Sequence, residues 1–348
     1  MLKFPNKLTA ETFLARHWHK KPLFLPQAID VKRPSVTRNE LAWLATLDDV
    51  ESRIVFSDRV DDRIRYRVET GPFDVAFLQA LPKHDWSLLV HDVEKHLPAL
   101  RQLFEQVPFI PDWRIDDLMI SFAAPGGGVG PHRDNYDVFL CQGIGVRDWR
   151  TSTADVPEDP AASDDLALLE EFNADEHHVA RQGDVLYLPP GVAHWGTAKR
   201  ACITYSIGMR APSFYSDPDL ELAEVQPGYL SPAARRRAGK QASRLGCAAT
   251  EVKQWLQPLA PSPVEITALL ATPSALHKLR LHGMARIAFD DSKLYLNGAS
   301  RRLKGSDREP IAALCARRRL DRALAAALGK RGLRWLLAHG AFEIPENE

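Results

Sequence analysis

The order of hydrophobic and polar positions divides the chain into a mixed N-terminal part, a strand-rich middle and a helix-rich C-terminal part. Residues 9–18 (TAETFLARHW) place apolar side chains at helical spacing behind Thr9, a capping residue type, so a short helix is predicted there. Between residues 39 and 105, the helical stretches NELAWLATL and FDVAFLQAL alternate with the extended runs RIVFSD and RIRYRVE. The first hundred residues are therefore expected to combine helices with strands.

The middle of the chain, residues 115–210, consists of short β-forming runs bounded by Gly and Pro. These runs are DLMISFAAP, YDVFLCQG, RDWRTS, DVLYLPPG and CITYSIGMR. Strands at such short intervals, separated by turn signals, are typical of a β-sandwich or β-barrel. We therefore predict a mainly β fold with added helices, and we assign residues 1–210 to one domain.

The sequence pattern changes from strand-forming to mostly helix-forming after residue 211. The segments SPAARRRAGKQASRLG and TEVKQWLQPL predict a helical region over 211–270, with PSP at 261–263 as a linker or helix start. Residues 284–297 predict a hairpin that turns at DDSK, followed by two or three Ala/Leu/Arg-rich helices and a final short strand in AFEI. This pattern is compatible with a small winged-helix-like domain over 271–348, although other small α+β units fit it as well.

Composition narrows the class of protein. Hydrophobic residues make up 45% and charged residues 26%, which is typical of a globular protein, and no apolar run approaches the roughly 18 residues of a membrane span. The four cysteines form no CxxC pair, and Cys141 and Cys202 lie in apolar runs, which indicates buried free thiols in a reducing compartment. The N-terminus lacks the apolar core of a signal peptide, so we expect a cytoplasmic protein with no membrane partner.

Charge is distributed unevenly, although 45 basic and 45 acidic residues cancel over the whole chain. Residues 151–230 carry 14 acidic and 4 basic side chains, a net charge of −10, whereas residues 231–348 carry 21 basic and 10 acidic ones, a net charge of +11. Such asymmetry indicates separate surfaces with separate roles, or one region docking on the other. The RRR runs at 235–237 and 317–319 are most simply solvated helix faces, so direct contact with nucleic acid is possible but not expected.

The strongest chemical signal begins at GPHRDNYD, residues 130–137. His132 and Asp134 stand one residue apart, a pair that a solvated turn would explain equally well. A second segment, GDVLYLPPGVAH, runs from a predicted strand through a Pro-Pro-Gly turn and presents His194, 60 positions after Asp134. Two histidines and one carboxylate cap one face of a metal ion and leave about three positions open, which is typical of non-haem Fe(II) oxygenases. We predict His132, Asp134 and His194 as metal ligands.

Other candidate motifs are weaker. The glycine-rich run PGGGVG before His132 has no following GK[ST] and does not lead into a helix, so a phosphate-binding loop is disfavoured. Its glycines are better explained by a close approach of the backbone to the mouth of the site. His177 and His178 lie in the acidic stretch NADEHHVA and are expected to be exposed.

These segments resemble the JmjC-type 2-oxoglutarate oxygenases, and within them the bacterial ribosomal oxygenases that hydroxylate an arginine of ribosomal protein L16. The resemblance is carried by residues 116–150 (DDLMISFAAPGGGVGPHRDNYDVFLCQGIGVRDWR), by 183–196 (GDVLYLPPGVAHWG) and by 13–26 (FLARHWHKKPLFLP). It covers residues 1–210 well and weakens beyond them. It implies a double-stranded β-helix (cupin/JmjC) barrel, a helical dimerisation region that is short here, and a winged-helix-like C-terminal domain, and hence a possible homodimer.

The resemblance also implies a site for 2-oxoglutarate. In this family a basic side chain on the strand after the HxD segment grips the distal carboxylate of 2-oxoglutarate, and Arg147 occupies that position. Arg150 falls on the opposite strand face and suits an exposed arginine. Ser121 matches a position that lines the same pocket, although a plain strand serine fits equally well. Asn135 and Tyr136 follow the ligands directly and are candidates for the substrate entrance.

The implied activity is that of an Fe(II)- and 2-oxoglutarate-dependent dioxygenase, which uses O2 to hydroxylate a protein, here an arginine of an L16-like ribosomal protein. Two alternatives stay open: a JmjC demethylase or small-molecule hydroxylase that uses the same site, and a nucleic-acid-binding module in which the cupin barrel is structural. The complete ligand set argues against the binding module. Formaldehyde release would identify a demethylase. The acidic stretch 151–178 would attract a cationic loop of a substrate, although a solvated insertion explains it as well.

Overall fold

The structure, a computed structural model, describes residues 2–5, 8–31, 35–60, 63–110, 112–159, 166–209, 228–230, 247, 250 and 260–344. The chain divides into two compact units, one formed by residues 1–107 and 116–211 and the other by residues 108–115 and 212–348. The helices predicted in SPAARRRAGKQASRLG and TEVKQWLQPL fall almost entirely outside the described residues. The three-domain division at 1–210, 211–270 and 271–348 stays a prediction.

The first unit is built on a ten-stranded sheet. Its strands are β1 Leu23–Leu25, β2 Ser52–Val60, β3 Arg63–Thr70, β4 Trp86–Val90, β5 Ile115–Ala123, β6 His132–Arg133, β7 Val138–Ser152, β8 Glu176–Arg181, β9 Val185–Leu188 and β10 Ala193–Met209. The strand order is β1-β9-β7-β10-β5-β4-β2-β3, with β6 on β10 and β8 on β7. Strand β7 pairs with β9 through its first half and with β8 through its second. One long strand thus serves two neighbours, as in a double-stranded β-helix barrel, and the predicted mainly β fold is confirmed.

Short helices precede and accompany the strands of the first unit. They are α1 Ala10–Arg16, α2 Arg38–Leu44, α3 Val75–Gln79 and α4 Val93–His96, followed by a 3-10 helix over Pro98–Gln106. The Thr9 hydroxyl accepts a hydrogen bond from the Thr12 amide, so the predicted N-cap of α1 is confirmed. Phe13 on α1 is buried and lies 4.8 Å from the Tyr187 ring, centroid to centroid, which attaches this helix to β9.

One prediction about the strands is wrong. The sequence pattern separates YDVFLCQG from RDWRTS, but β7 runs through Gly143 and Gly145 without a break. A side chain at Gly143 would lie 2.3 Å from the Tyr205 ring, and Gly145 has φ +71°, so these glycines serve packing and a bend, not a turn. The acidic stretch around His177, for which no strand was predicted, contains β8, which pairs with β7, and His177 is exposed as expected. Since only one face of β8 packs inward, its sequence lacks a long apolar run.

The second unit is a small α+β unit. It contains a 3-10 turn at Asp112–Arg114, the helices α5 Pro263–Ala271, α6 Pro273–Leu276, α7 Gly305–Arg317 and α8 Arg322–Ala338, and the strands β11 Arg280–Leu281, β12 Ile287–Phe289, β13 Lys293–Leu296, β14 Ala299–Arg302 and β15 Phe342–Glu343. The predicted hairpin forms between β12 and β13, and its turn is the predicted DDSK segment. Ser262 caps α5 in a capping box, so PSP is a helix start. Gly329, with φ 63°, divides α8 into two helical pieces.

Both units have apolar interiors, and the four cysteines are free thiols, of which Cys141, Cys202 and Cys315 are buried. The prediction of buried thiols is therefore confirmed for Cys141 and Cys202. Among the helices that the structure describes, none combines the length and apolar character needed to cross a bilayer.

Candidate metal centre

Strand pairing brings the two predicted histidine ligands together. Strands β6 and β10 are antiparallel neighbours, with His132 opposite His194 and Arg133 opposite Ala193. The two imidazole centroids are 4.2 Å apart. Asp134 follows β6 directly, and its main-chain carbonyl accepts a hydrogen bond from the amide of Gly191, 2.8 Å away, in the Pro-Pro-Gly turn. The two motifs therefore meet through a short piece of sheet.

The ligand atoms converge on one point. Asp134 Oδ1 is 3.9 Å from His132 Nε2, and Asp134 Oδ2 is 3.6 Å from His194 Nε2. One ligand atom from each of the three residues lies within 4.8 Å of the others. Two imidazole nitrogens and one carboxylate at this spacing fit a single ion such as Fe(II) on one face. Of the described residues, these three form the candidate metal-binding group.

Backbone carbonyls orient both rings. His132 Nδ1 lies 2.9 Å from the carbonyl oxygen of Gly130, and His194 Nδ1 lies 3.1 Å from that of Val192. A proton on each Nδ1 makes both hydrogen bonds and leaves each Nε2 with a lone pair for a metal, which is the usual outer arrangement of histidine ligands. Burial, and then the neighbouring His132, lower the pKa of His194 to about 4, so its imidazole is neutral at neutral pH.

The glycine-rich loop fits tightly between neighbouring strands. The Gly126 amide donates to the Ala198 carbonyl, and the Ala198 amide donates to the Gly127 carbonyl, at 2.8 and 2.9 Å. A Cβ at Gly127 would lie only 2.1 Å from the carbonyl oxygen of Trp86 on β4. The loop therefore needs glycine for a close backbone approach, as predicted, and it leads into the ligand strand β6.

Arg147 is a buried cation near the metal ligands. Its residue exposure is 3%, and its guanidinium carbon lies 4.8 Å from the ring centroid of Trp149 on the same strand face. Nη1 donates to Ser121 Oγ and Nη2 to the Gly196 carbonyl, both at 3.3 Å, and Nε has no hydrogen-bond partner among the described residues. The Cys202 thiol also interacts with the guanidinium, and burial lowers the pKa of Arg147. No ion pair between Arg147 and a carboxylate is formed within the described part of the chain. An anion is the partner that this position lacks.

The remaining predicted site residues occupy different positions. Arg150 lies on the opposite face of β7, with 37% side-chain exposure, and covers the Trp195 ring at 4.7 Å. Tyr136 lines the cavity that contains the metal ligands, whereas Asn135 is exposed. Burial, the charges of Asp134 and Asp117 and a hydrogen bond with Asp134 raise the pKa of the Tyr136 phenol, so it stays neutral. Tyr136 thus also helps to orient a ligand carboxylate.

Sequence reasoning missed several polar residues in this cavity. They come from four strands or their ends, and are Arg53, His91, Asp117, Thr204 and Ser206. Asp117 is 8% exposed, and its Oδ2 lies 3.2 Å from His91 Nδ1. Alternation along β5 would have placed Asp117 on the same face as Ser121, four residues on. No comparable local signal marks Arg53.

The acidic insertion lies against the ligand strand. Leu168 forms a β-bridge with His132, and the amide of Leu169 donates to the Pro131 carbonyl at 2.9 Å. The guanidinium of Arg133, between the two ligands of the HxD motif, donates to the carbonyls of Ala154 and Val156. The described part of the insertion is therefore held beside the metal centre by backbone contacts.

A sheet-based barrel with two histidines and one carboxylate at adjoining strand ends is typical of non-haem Fe(II) oxygenases, among which the JmjC proteins are one class. A model of the JmjC domain matches residues 102–216. In a structure of Escherichia coli YcfD, a ribosomal oxygenase in complex with cobalt and 2-oxoglutarate, 99% of that chain superimposes on 98% of this one, with 30% identity and a TM-score of 0.72. The chain belongs to the JmjC-domain family that includes this ribosomal oxygenase.

Other relatives agree with this assignment. The ribosomal protein uL16 3-hydroxylase of Escherichia coli (strain K12) is 36% identical over 239 residues, which cover 63% of this chain and 62% of that protein. A probable ribosomal oxygenase of Haemophilus influenzae is 34% identical over 254 residues, which cover 68% of this chain and 61% of that protein. Both sequence alignments thus span less than two thirds of the relative's length. An X-ray structure of E. coli ycfD matches with a TM-score of 0.75 at 29% identity, covering 98% of this chain and 100% of that one.

Proposed function

We propose that this protein is an Fe(II)- and 2-oxoglutarate-dependent dioxygenase that hydroxylates an arginine side chain of an L16-like ribosomal protein. One observation carries the proposal: a complete two-histidine, one-carboxylate set lines the same cavity as a buried arginine that has no counter-ion among the described residues. The first matches Fe(II) and the second matches an anionic cosubstrate. The E. coli relative solved with cobalt and 2-oxoglutarate supports the same pair of ligands.

His132, Asp134 and His194 would hold Fe(II) through two Nε2 atoms and a carboxylate oxygen. When bound, Fe(II) supplies the redox chemistry by which O2 oxidises 2-oxoglutarate to succinate and CO2 and places one oxygen atom on a C–H bond of the substrate. The hydrogen bonds from the two Nδ1 atoms to Gly130 and Val192 fix the orientation of the rings before the metal arrives.

Arg147 would bind the distal carboxylate of 2-oxoglutarate. Its guanidinium is held in place by Ser121 and by the Gly196 carbonyl, and its stacking on Trp149 leaves one edge for an anion. The apolar side chains of Val138, Leu140 and Trp149 line the same cavity and keep water away from the bound anion, which strengthens the ion pair.

Two observations favour a cationic target residue. Asp117 is a nearly buried carboxylate that lines the cavity and could pair with a guanidinium entering it. The described acidic residues of the insertion, among them Glu158 and Glu170, belong to a segment held beside the ligand strand, where negative charge would attract a basic loop. The relatives in Escherichia coli and Haemophilus influenzae, a uL16 3-hydroxylase and a probable ribosomal oxygenase, support a ribosomal protein as the substrate.

The proposal also covers the cellular location and the oligomeric state of the protein. We infer a cytoplasmic enzyme, because its proposed substrate is a ribosomal protein and its cysteines are free thiols. A homodimer through residues 211–270 stays a prediction, since those residues lie almost wholly outside the described ones. Direct contact with nucleic acid is not part of the proposed mechanism.

Purified protein, Fe(II), 2-oxoglutarate and L16 should release succinate and add the mass of one oxygen atom to an L16 arginine, as read by peptide mass spectrometry. Succinate release without modified L16 would remove the ribosomal substrate and leave the oxygenase chemistry. Formaldehyde release would identify a demethylase, and oxidation of a free small molecule would identify the other alternative. Absence of any turnover, together with RNA affinity that does not need iron, would favour the nucleic-acid-binding module.

A further inference from the structure

A second arginine faces the cavity that contains the metal ligands. Arg53 on β2 is half-buried, and its side chain lines the same cavity as His132, Asp134 and His194. Its Nε is buried without a hydrogen-bond partner, and no hydrogen bond or ion pair joins its guanidinium to another described residue. Buried N–H groups in proteins almost always have a partner, because leaving one unpaired costs about 1–3 kcal/mol.

The sheet register separates Arg53 from the proposed 2-oxoglutarate subsite. Arg53 pairs with Leu89 across β2 and β4, and Leu89 pairs with Ser121 across β4 and β5. Arg53 therefore lies two strand spacings, roughly 10 Å, from the serine that holds Arg147. Side chains in one such row point to the same side of the sheet, so the two arginines face one cavity at different positions. Their guanidinium groups can therefore donate hydrogen bonds to different acceptor groups.

We propose that Arg53 binds a main-chain carbonyl oxygen of the substrate polypeptide, next to the residue that is hydroxylated. This inference rests on the proposed function. A guanidinium at this position repels a cationic side chain, so the target side chain is directed toward Asp117, and Arg53 meets the neutral oxygen that every residue of a peptide offers. The contact would fix the position of the peptide backbone in the cavity, which makes Arg53 a substrate-binding residue.

Steady-state kinetics on the holoenzyme with an L16-derived peptide test this role. Arg53→Ala should raise the KM for the peptide about ten- to hundredfold, because a hydrogen bond from a charged donor is lost, while the KM for 2-oxoglutarate changes less than about twofold. Arg53→Lys should recover part of the loss. Arg59→Ala, at the exposed end of the same strand, is the matched control and should leave both KM values unchanged.

Amide-to-ester replacements along the peptide locate the acceptor. An ester carbonyl accepts hydrogen bonds more weakly than an amide, so one ester position should raise the KM for wild-type enzyme and have little effect on the Arg53→Ala variant. Equal ester effects on both enzymes would overturn the contact. An increase in the KM for 2-oxoglutarate equal to that for the peptide would assign Arg53 to the cosubstrate.

Failure of the proposed function gives a different result. Wild-type enzyme that converts 2-oxoglutarate but leaves the peptide unmodified would remove the ribosomal substrate, and the Arg53 proposal with it. Modified peptide with unchanged kinetics in Arg53→Ala would overturn only the role of Arg53. A melting temperature within about 2 °C of wild type, measured on each variant, separates these outcomes from unfolding.

Discussion

Asp290 in the second unit and Arg147 in the first are both almost completely buried charged residues, at 1% and 3% exposure, but they differ in their hydrogen-bond partners. In the second unit, Asp290 accepts hydrogen bonds from the Ser292 and Lys293 amides and from the Ser292 and Tyr295 hydroxyls, at 2.7 to 2.8 Å. In the first unit, Arg147 has two long hydrogen bonds to neutral groups, an interaction with the Cys202 thiol, and an Nε without a partner among the described residues. The fold satisfies the first charge, whereas we propose that a ligand satisfies the second.

The difference separates structural from functional polar groups. Asp290 forms the turn of the β12–β13 hairpin, so its cost of burial is offset by contacts that exist as soon as the hairpin folds. Arg147 gains nothing comparable from folding, and a buried charge of this kind destabilises the native state until an anion binds. A buried charge that lines a cavity and has no oppositely charged protein partner is therefore a better guide to the active site than a buried charge that the fold satisfies.

The largest effect is expected at the metal ligands. His132→Ala, Asp134→Ala or His194→Ala should each reduce turnover to background, because two remaining ligands hold Fe(II) too weakly. Cobalt(II) titration followed by visible absorbance measures the lost affinity independently of activity. His177→Ala, at an exposed histidine on β8, is the control and should behave as wild type. Full activity of the His194→Ala variant, or of metal-free wild-type protein, would exclude this centre.

Arg147→Met should weaken the binding of 2-oxoglutarate without lowering the stability of the protein. The KM for 2-oxoglutarate should rise roughly ten- to hundredfold, since a charge-assisted pair worth about 1.5–3 kcal/mol is lost. Thermal stability without ligand should stay equal or increase, because an unpaired buried charge is replaced by an apolar side chain of similar length. A clear drop in melting temperature together with an unchanged KM would mean that Arg147 is structural.

Asp290→Ala should lower the stability of the protein, whereas Arg147→Met should not. We expect the free energy of opening of the β12–β13 hairpin to fall by about 2–3 kcal/mol, because buried donors lose their acceptor. Amide hydrogen exchange of residues 287–296 measures this locally. Asp291→Ala removes a half-exposed carboxylate that pairs with Arg308 and accepts a hydrogen bond from the Tyr229 hydroxyl, so it should cost only about 1 kcal/mol. Comparable effects at both positions would contradict the special role of Asp290.

The stabilisation by Asp290 should also depend on pH. Burial raises its pKa, but the hydrogen bonds from Ser292, Tyr295 and Lys293 outweigh this effect, and the net pKa is lowered. A carboxyl group with a depressed folded-state pKa contributes its stability above the unfolded value of about 3.9 and loses it as pH falls through the folded value. The difference in hairpin exchange between wild type and Asp290→Asn should therefore be constant near neutral pH and shrink below about pH 4. A difference that grows on acidification would contradict this sign.

The smallest effect is expected for Arg150→Ala. Arg150 lies on the outer face of β7, so the KM for 2-oxoglutarate should change less than about twofold. This variant is the matched control for Arg147→Met, three positions away on the same strand. If Arg150→Ala weakens 2-oxoglutarate and Arg147→Met does not, the assignment of the two strand faces is reversed.

Local sequence patterns were sufficient for part of this protein. The HxD pair and the Pro-Pro-Gly turn before His194 identified the candidate ligands, because metal coordination demands particular residue types at short, fixed spacings. Thr9 correctly marked the start of a helix, since capping depends on neighbours within one turn, and PSP, predicted as a linker or a helix start, is a helix start. The DDSK segment correctly marked a hairpin turn for the same reason.

Only the tertiary structure decided which distant residues share the cavity. The continuity of β7 through Gly143 and Gly145 depends on the neighbouring strand β10, although both glycines signal a turn in the sequence. Arg53 reaches the site through a register that runs across β2, β4 and β5. Sheet order and register are set by long-range pairing and burial, which no short stretch of sequence encodes. The candidate metal ligands were therefore predictable from local motifs, whereas the proposed substrate contact of Arg53 was not.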